Sequence, residues 1–109
     1  MAYSESLAER VRQALAGRKQ LVEKKMFGGV GFLLRGNMLV GVWKTFLIAR
    51  IGKEASEKVL QESHVRVFDI TGKAMTGWVM VEPEGLQDAD QLEVWLARAT
   101  KFVRTLPEK

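Results

Sequence analysis

LVEKKMFGGVGFLLRGNMLVGVWKTFLIARI, residues 21–51, decides the fold. Its apolar runs, Leu21 to Phe27, Val30 to Arg35, Met38 to Trp43 and Phe46 to Ile51, are separated by the pairs Gly28-Gly29, Gly36-Asn37 and Lys44-Thr45. Two-residue breaks between strand-like runs are hairpin signals, and Gly and Asn accept the positive φ that tight hairpin turns need. The stretch therefore predicts an antiparallel meander of three or four strands. Alternation divides its side chains into Val30, Phe32 and Leu34 against Gly31, Leu33 and Arg35, then Met38, Val40 and Val42 against Leu39, Gly41 and Trp43. In the last run Phe46 and Ile48 oppose Leu47, Ala49 and Ile51, so both faces of the sheet are apolar.

Helical patterns flank this meander. Ser4 precedes the stripe Leu7, Ala8, Val11, Ala14 and Leu15, and Gly17 ends it, which predicts a capped helix. Lys53 to Glu62 reads as a short helix, with Ala55 and Val59 on one face and Glu54 four residues before Lys58. Val65 to Ile70 reads as a short extended piece, Asp69 to Lys73 as a loop, and Met75 to Val81 as a further strand closed by Pro83 and Gly85. Asp88 and Gln91 have capping-box spacing ahead of the apolar face Leu92, Trp95, Leu96, Ala99, Phe102, Val103 and Leu106. Acids at the start of that helix and Arg98, Lys101 and Arg104 toward its end match the helix dipole.

The result is one α+β domain over residues 1–109, an antiparallel β-meander sheet packed with helices. A chain of this size and of 47% hydrophobic residues can close one core, and two are not expected. Three modest helices either cover one sheet face, leaving the other for a ligand or a second subunit, or shield part of each; the pattern leaves both open. In a homodimer, Leu39 and Trp43 are the expected contact residues.

The chain has no cysteine, which excludes disulfides, thiolate chemistry and every zinc site that uses sulfur. Met1 to Gly17 lacks the apolar centre of a signal peptide and no apolar run approaches a membrane span, so a cytoplasmic protein is expected. The net charge of +4 is uneven: Arg18 to Gly52 holds seven bases and one acid. Clustered cations suit a polyanion, so Arg18, Lys19, Lys24 and Lys25 are the candidate nucleic-acid residues, set against the plainer reading of a solvated basic surface. Phe27, Phe32, Trp43 and Phe46 lie in the same segment, where aromatic rings on strands could stack bases, but the RNA-recognition motif pattern is missing.

Catalytic signals are weak. Gly28-Gly29-Val30-Gly31 resembles a phosphate loop only in composition, because a strand and not a helix follows it; a bend or bulge in the sheet is the expected role. His64 is the single histidine and reads as a surface loop residue, and Glu82 and Glu84, with Asp69, are the only clustered carboxylates. No catalytic, cofactor or metal residue is assigned.

Lys25-Met-Phe-Gly-Gly-Val-Gly-Phe32, the Gly36-Asn-Met-Leu39 turn, the strand through Ile51, and Met75-Thr-Gly-Trp78 before a Trp-bearing C-terminal helix resemble the N-terminal domain of the TfoX/Sxy competence-regulator family. The resemblance spans nearly the whole chain and corresponds to the first half of full-length members, as a stand-alone domain without the second, helical one. It implies an antiparallel α+β fold, like that of secretion-chaperone-like proteins, and a role in regulating genes for DNA uptake. It supplies no catalytic residue. The leading expectation is therefore a non-enzymatic regulatory or protein-interaction module with a protein partner. The alternatives are a nucleic-acid module using residues 18–52, and a ligand binder with a pocket near Gly77, Trp78 and Glu82.

Overall fold

The computed structural model describes residues 3–18, 20–26, 28–68 and 76–108, except the Met26 side chain. α1 (Glu5–Ala14) leads into β1 (Leu21–Met26), β2 (Gly29–Leu34), β3 (Asn37–Trp43) and β4 (Phe46–Arg50). α2 (Lys53–Val59), β5 (Val65–Val67), β6 (Trp78–Val81), a 3-10 turn (Pro83–Leu86) and α3 (Ala89–Val103) follow. The sheet has six antiparallel strands in the order β1-β2-β3-β4-β6-β5, so the expected meander is extended by β6, which inserts between β4 and β5. The expected loop at Asp69 to Lys73, and the start of the strand expected from Met75, lie outside the described residues. None of the described helices is long and apolar enough to cross a membrane.

Local chemistry sets the ends of these elements. Ser4 Oγ accepts from the Leu7 N–H at 3.2 Å and caps α1. Asp88 accepts from the Gln91 N–H at 2.8 Å while the Gln91 side chain accepts from the Asp88 N–H at 3.1 Å, completing the expected capping box. The β2–β3 turn sits one residue earlier than the composition suggests. Arg35 and Gly36 take φ of 54° and 83°, the twin positive values of a tight hairpin turn, and Asn37 joins β3. α2 ends three residues before the expected Glu62.

All three helices lie on one sheet face. Leu7, Val11 and Leu15 of the α1 region, Val59 of α2, and Leu92, Trp95, Leu96, Ala99 and Val103 of α3 form one cluster with Val30, Phe32, Val40, Val42, Leu47, Val79 and Val81 of the strands. Each large apolar side chain buried there contributes about 1.5–3 kcal/mol. Among the described residues, the helices therefore cover a single face.

The bulge in this sheet is not at the glycine run. Phe32 pairs with Val40 but Leu33 with Met38, so Leu39 is the extra, unpaired residue on β3. A bulge of this kind turns two successive residues of one strand toward the same side. Leu39 and Val40 accordingly both enter the helix-covered core, each fully buried. The glycines instead allow close approach: a Cβ on Gly29 would stand 2.2 Å from the Val42 carbonyl oxygen.

Candidate functional site

The opposite face of the sheet carries no helix among the described residues. The register puts Lys24 beside Gly31, Gly31 beside Gly41, Gly41 beside Ile48, Ile48 beside Met80 and Met80 beside Arg66, so these residues share that face. Trp43, Phe46, Arg50, Trp78 and Phe68 follow by alternation. Ile48, Met80 and Phe68 are its buried centre, with Trp43, Phe46 and Trp78 half-buried around them.

Aromatic and cationic groups are paired across this surface. Trp43 and Phe46 stack with ring centroids 6.2 Å apart, and Phe68 and Trp78 meet at 5.8 Å. Lys44 Nζ stands 4.6 Å from the Trp43 centroid, the Arg66 guanidinium 5.9 Å from Phe46, and the Arg50 guanidinium 5.4 Å from Trp78. The quadrupole of each ring attracts the cation above it, so the long side chains lie along the apolar surface while their charges stay in water. The face is therefore apolar at its centre, with Lys44, Arg50 and Arg66 at its margin, Arg66 standing also 3.8 Å from Glu82. Such a surface can bind apolar side chains bordered by carboxylates, or unstacked bases with their phosphates; among the described residues it presents no nucleophile paired with a base.

The sequence-derived candidates scatter. Trp43 is on the open face, half-buried. Leu39, expected beside it at a dimer contact, is corrected to the core, because the bulge rotates it under the helices. Lys24 lies on the open face, but Lys25 alternates to the other side of edge strand β1. Arg18 is on neither face. Its Nη1 donates to Thr100 Oγ1 at 3.3 Å, and it lines a groove with Arg35 and Arg104. Lys19 and Phe27 lie outside the described residues. Gly77 and Glu82 flank opposite ends of β6, about 16 Å apart at strand rise, so the pocket expected near Gly77, Trp78 and Glu82 is not one site.

Sequence reasoning gave no role to Arg50 and Arg66, and placed Trp78 in a pocket with Gly77 and Glu82 and not on this face. Arg66 and Phe68 alternate with Val65 and Val67, and that period was the available signal. His64, just before β5, and Glu82 and Glu84, just after β6, each bring one ligand atom to within 4.8 Å of the others. Arg66 Nη1 stands 3.8 Å from one Glu82 oxygen and His64 Nδ1 3.8 Å from the other, so Glu82 is already engaged by its neighbours at the surface.

Comparison with curated proteins and with solved structures gives no match. The family of the TfoX N-terminal domain matches residues 13–103, from the end of α1 to the end of α3, and the chain belongs to that family.

Proposed function

We propose that the chain is a non-enzymatic regulatory module that docks a protein partner on its open sheet face, and that it acts through this partner on genes for DNA uptake. The observation that carries the reading is the asymmetry of the sheet. One face is sealed by three helices, while the other exposes parts of Trp43, Phe46 and Trp78 beneath Lys44, Arg66 and Arg50. Trp and Arg around a dry centre are the residue types that dominate binding energy at protein interfaces. Membership in a family not known for enzymes supports the non-enzymatic part.

The test compares the parent with Phe46→Glu and Arg66→Glu in the cell of origin. Both variants should fold, lose the same captured protein, and change transcript levels of DNA-uptake genes as deletion does. Unchanged capture and unchanged transcripts in both would reject the reading.

The cations over rings favour one second reading, single-stranded nucleic acid stacked on the same face. It predicts binding that weakens steeply with salt and is reduced by Lys24→Gln but not by Lys25→Gln. A protein complex held by the apolar centre would persist at high salt.

A further inference from the structure

Arg18, Arg35 and Arg104 come from three parts of the chain and meet at a groove of about 460 Å³, lined also by Gln20 and Leu34. Arg18 follows α1, Arg35 occupies the β2–β3 turn and Arg104 ends α3. The groove is braced by its own backbone: the Arg35 N–H donates to the Gln20 carbonyl at 3.0 Å. Arg18 is oriented as well. Thr100 commits its hydroxyl proton to the Leu96 carbonyl at 2.7 Å, so its oxygen faces Arg18 as an acceptor.

The negative end of the α3 dipole accounts for cations near Thr100 and Arg104. It does not account for Arg35, which a hairpin turn brings in. The described carboxylate beside the arginines is Glu108, 3.8 Å from Arg35. Among the described residues, three positive charges against one negative leave an excess of two at the groove. Guanidinium groups are planar forks that match phosphate oxygens, and a bound anion relieves the repulsion between them.

Size and shape narrow the ligand. Small-molecule pockets start at about 300 Å³, so the groove holds more than a simple ion. The three arginines line one groove, and they are not continued as a track along β1, where Lys24 and Lys25 lie on opposite sides of the strand. We propose that this groove binds a small phosphate-bearing molecule, with its phosphates on Arg18, Arg35 and Arg104 and its apolar part against Leu34. This site is separate from the open sheet face and does not depend on the function proposed for it.

Calorimetry at low salt with inorganic pyrophosphate and with ATP tests the proposal on the full chain. Both should bind saturably, one per chain, and Arg35→Gln and Arg104→Gln should each weaken binding about tenfold or more. Lys58→Gln on α2 should leave it unchanged, and Glu108→Gln should tighten it by removing a competing carboxylate. Near-ultraviolet circular dichroism of the tryptophans verifies that each variant is folded. Tighter ATP than pyrophosphate binding supports the proposal and assigns the base to the Leu34 side; equal affinities support it as recognition of the phosphates alone. Absence of saturation, or equal loss in Lys58→Gln, overturns it. A single-stranded 20-mer oligonucleotide bound more tightly than ATP and weakened by Lys24→Gln overturns it in favour of nucleic acid.

Discussion

Arg12 on α1 grips Glu23 on edge strand β1 with both arms of its guanidinium, Nε to Oε1 at 2.7 Å and Nη2 to Oε2 at 2.6 Å. The same guanidinium also reaches Glu9, one turn back on α1. The Arg12 hydrogen bonds hold the Glu23 carboxyl below its ordinary value of 4.5, outweighing the opposing effect of partial burial. The Gln13 side chain, followed by Arg12, lowers Glu9. Because the folded pKa of Glu23 is depressed, its contribution to stability is present above the unfolded carboxylate pKa and is lost as pH falls through the folded one. Glu23→Gln should therefore unfold at a lower urea concentration than the parent at pH 7, and the two midpoints should converge in acid. A gap independent of pH would assign the effect to something other than this ion pair.

Trp95 is 5% exposed, packs in the main core and carries the Arg98 guanidinium 4.5 Å from its ring centroid. Trp95→Ala should cost about 3–5 kcal/mol in urea unfolding, because the surrounding helices and strands cannot close the space left by the ring. A loss below about 1 kcal/mol would show that the site collapses around the cavity.

Gly29→Ala tests the close packing of β2 on β3. The new methyl would meet the Val42 carbonyl oxygen, a backbone atom that cannot rotate away. Overpacking of this kind costs about 1–3 kcal/mol. Gly17→Ala is the contrasting case: space around it is open, but its φ of 86° strains any side chain. Gly17→Asn, which tolerates that conformation better, should recover part of the loss, whereas Gly29→Asn should not. Equal behaviour at both positions in urea titrations would argue against a steric origin at Gly29.

Elements governed by near neighbours were legible in the sequence. Ser4 with its helical stripe, the Asp88–Gln91 box and the hairpin breaks gave α1, α3 and four strands to within a few residues, because capping and turn chemistry act over three or four positions. The position of β6 between β4 and β5 was not legible, since it depends on pairing with partners distant in sequence. Nor was the bulge: adjacent Leu39 and Val40 look like alternating strand residues until one of them loses its pairing. The same limit applies to the charges. Arg18, Lys24 and Lys25 form a basic run in sequence, yet strand alternation sends the lysines apart and leaves Arg18 with Arg35 and Arg104.

Self-association is the last expectation, and the bulge changes how it must be tested. Leu39→Glu would place a carboxylate in the core, where burying an unpaired charge unfolds a small domain regardless of any interface. Trp43→Glu is the informative variant. Trp43 is half-buried on the open face, stacked on Phe46 and capped by Lys44, so a glutamate there can reach solvent. If two copies bury this face against each other, symmetry brings the same patch of both chains together, and one substitution introduces two charges into the contact. Light scattering should then show a dimeric parent and a folded, monomeric Trp43→Glu. A parent that stays monomeric up to about millimolar concentration, where an association of about 4 kcal/mol is visible, rejects the dimer. In that case loss of capture by Phe46→Glu would identify the occupant of the open face as a different protein.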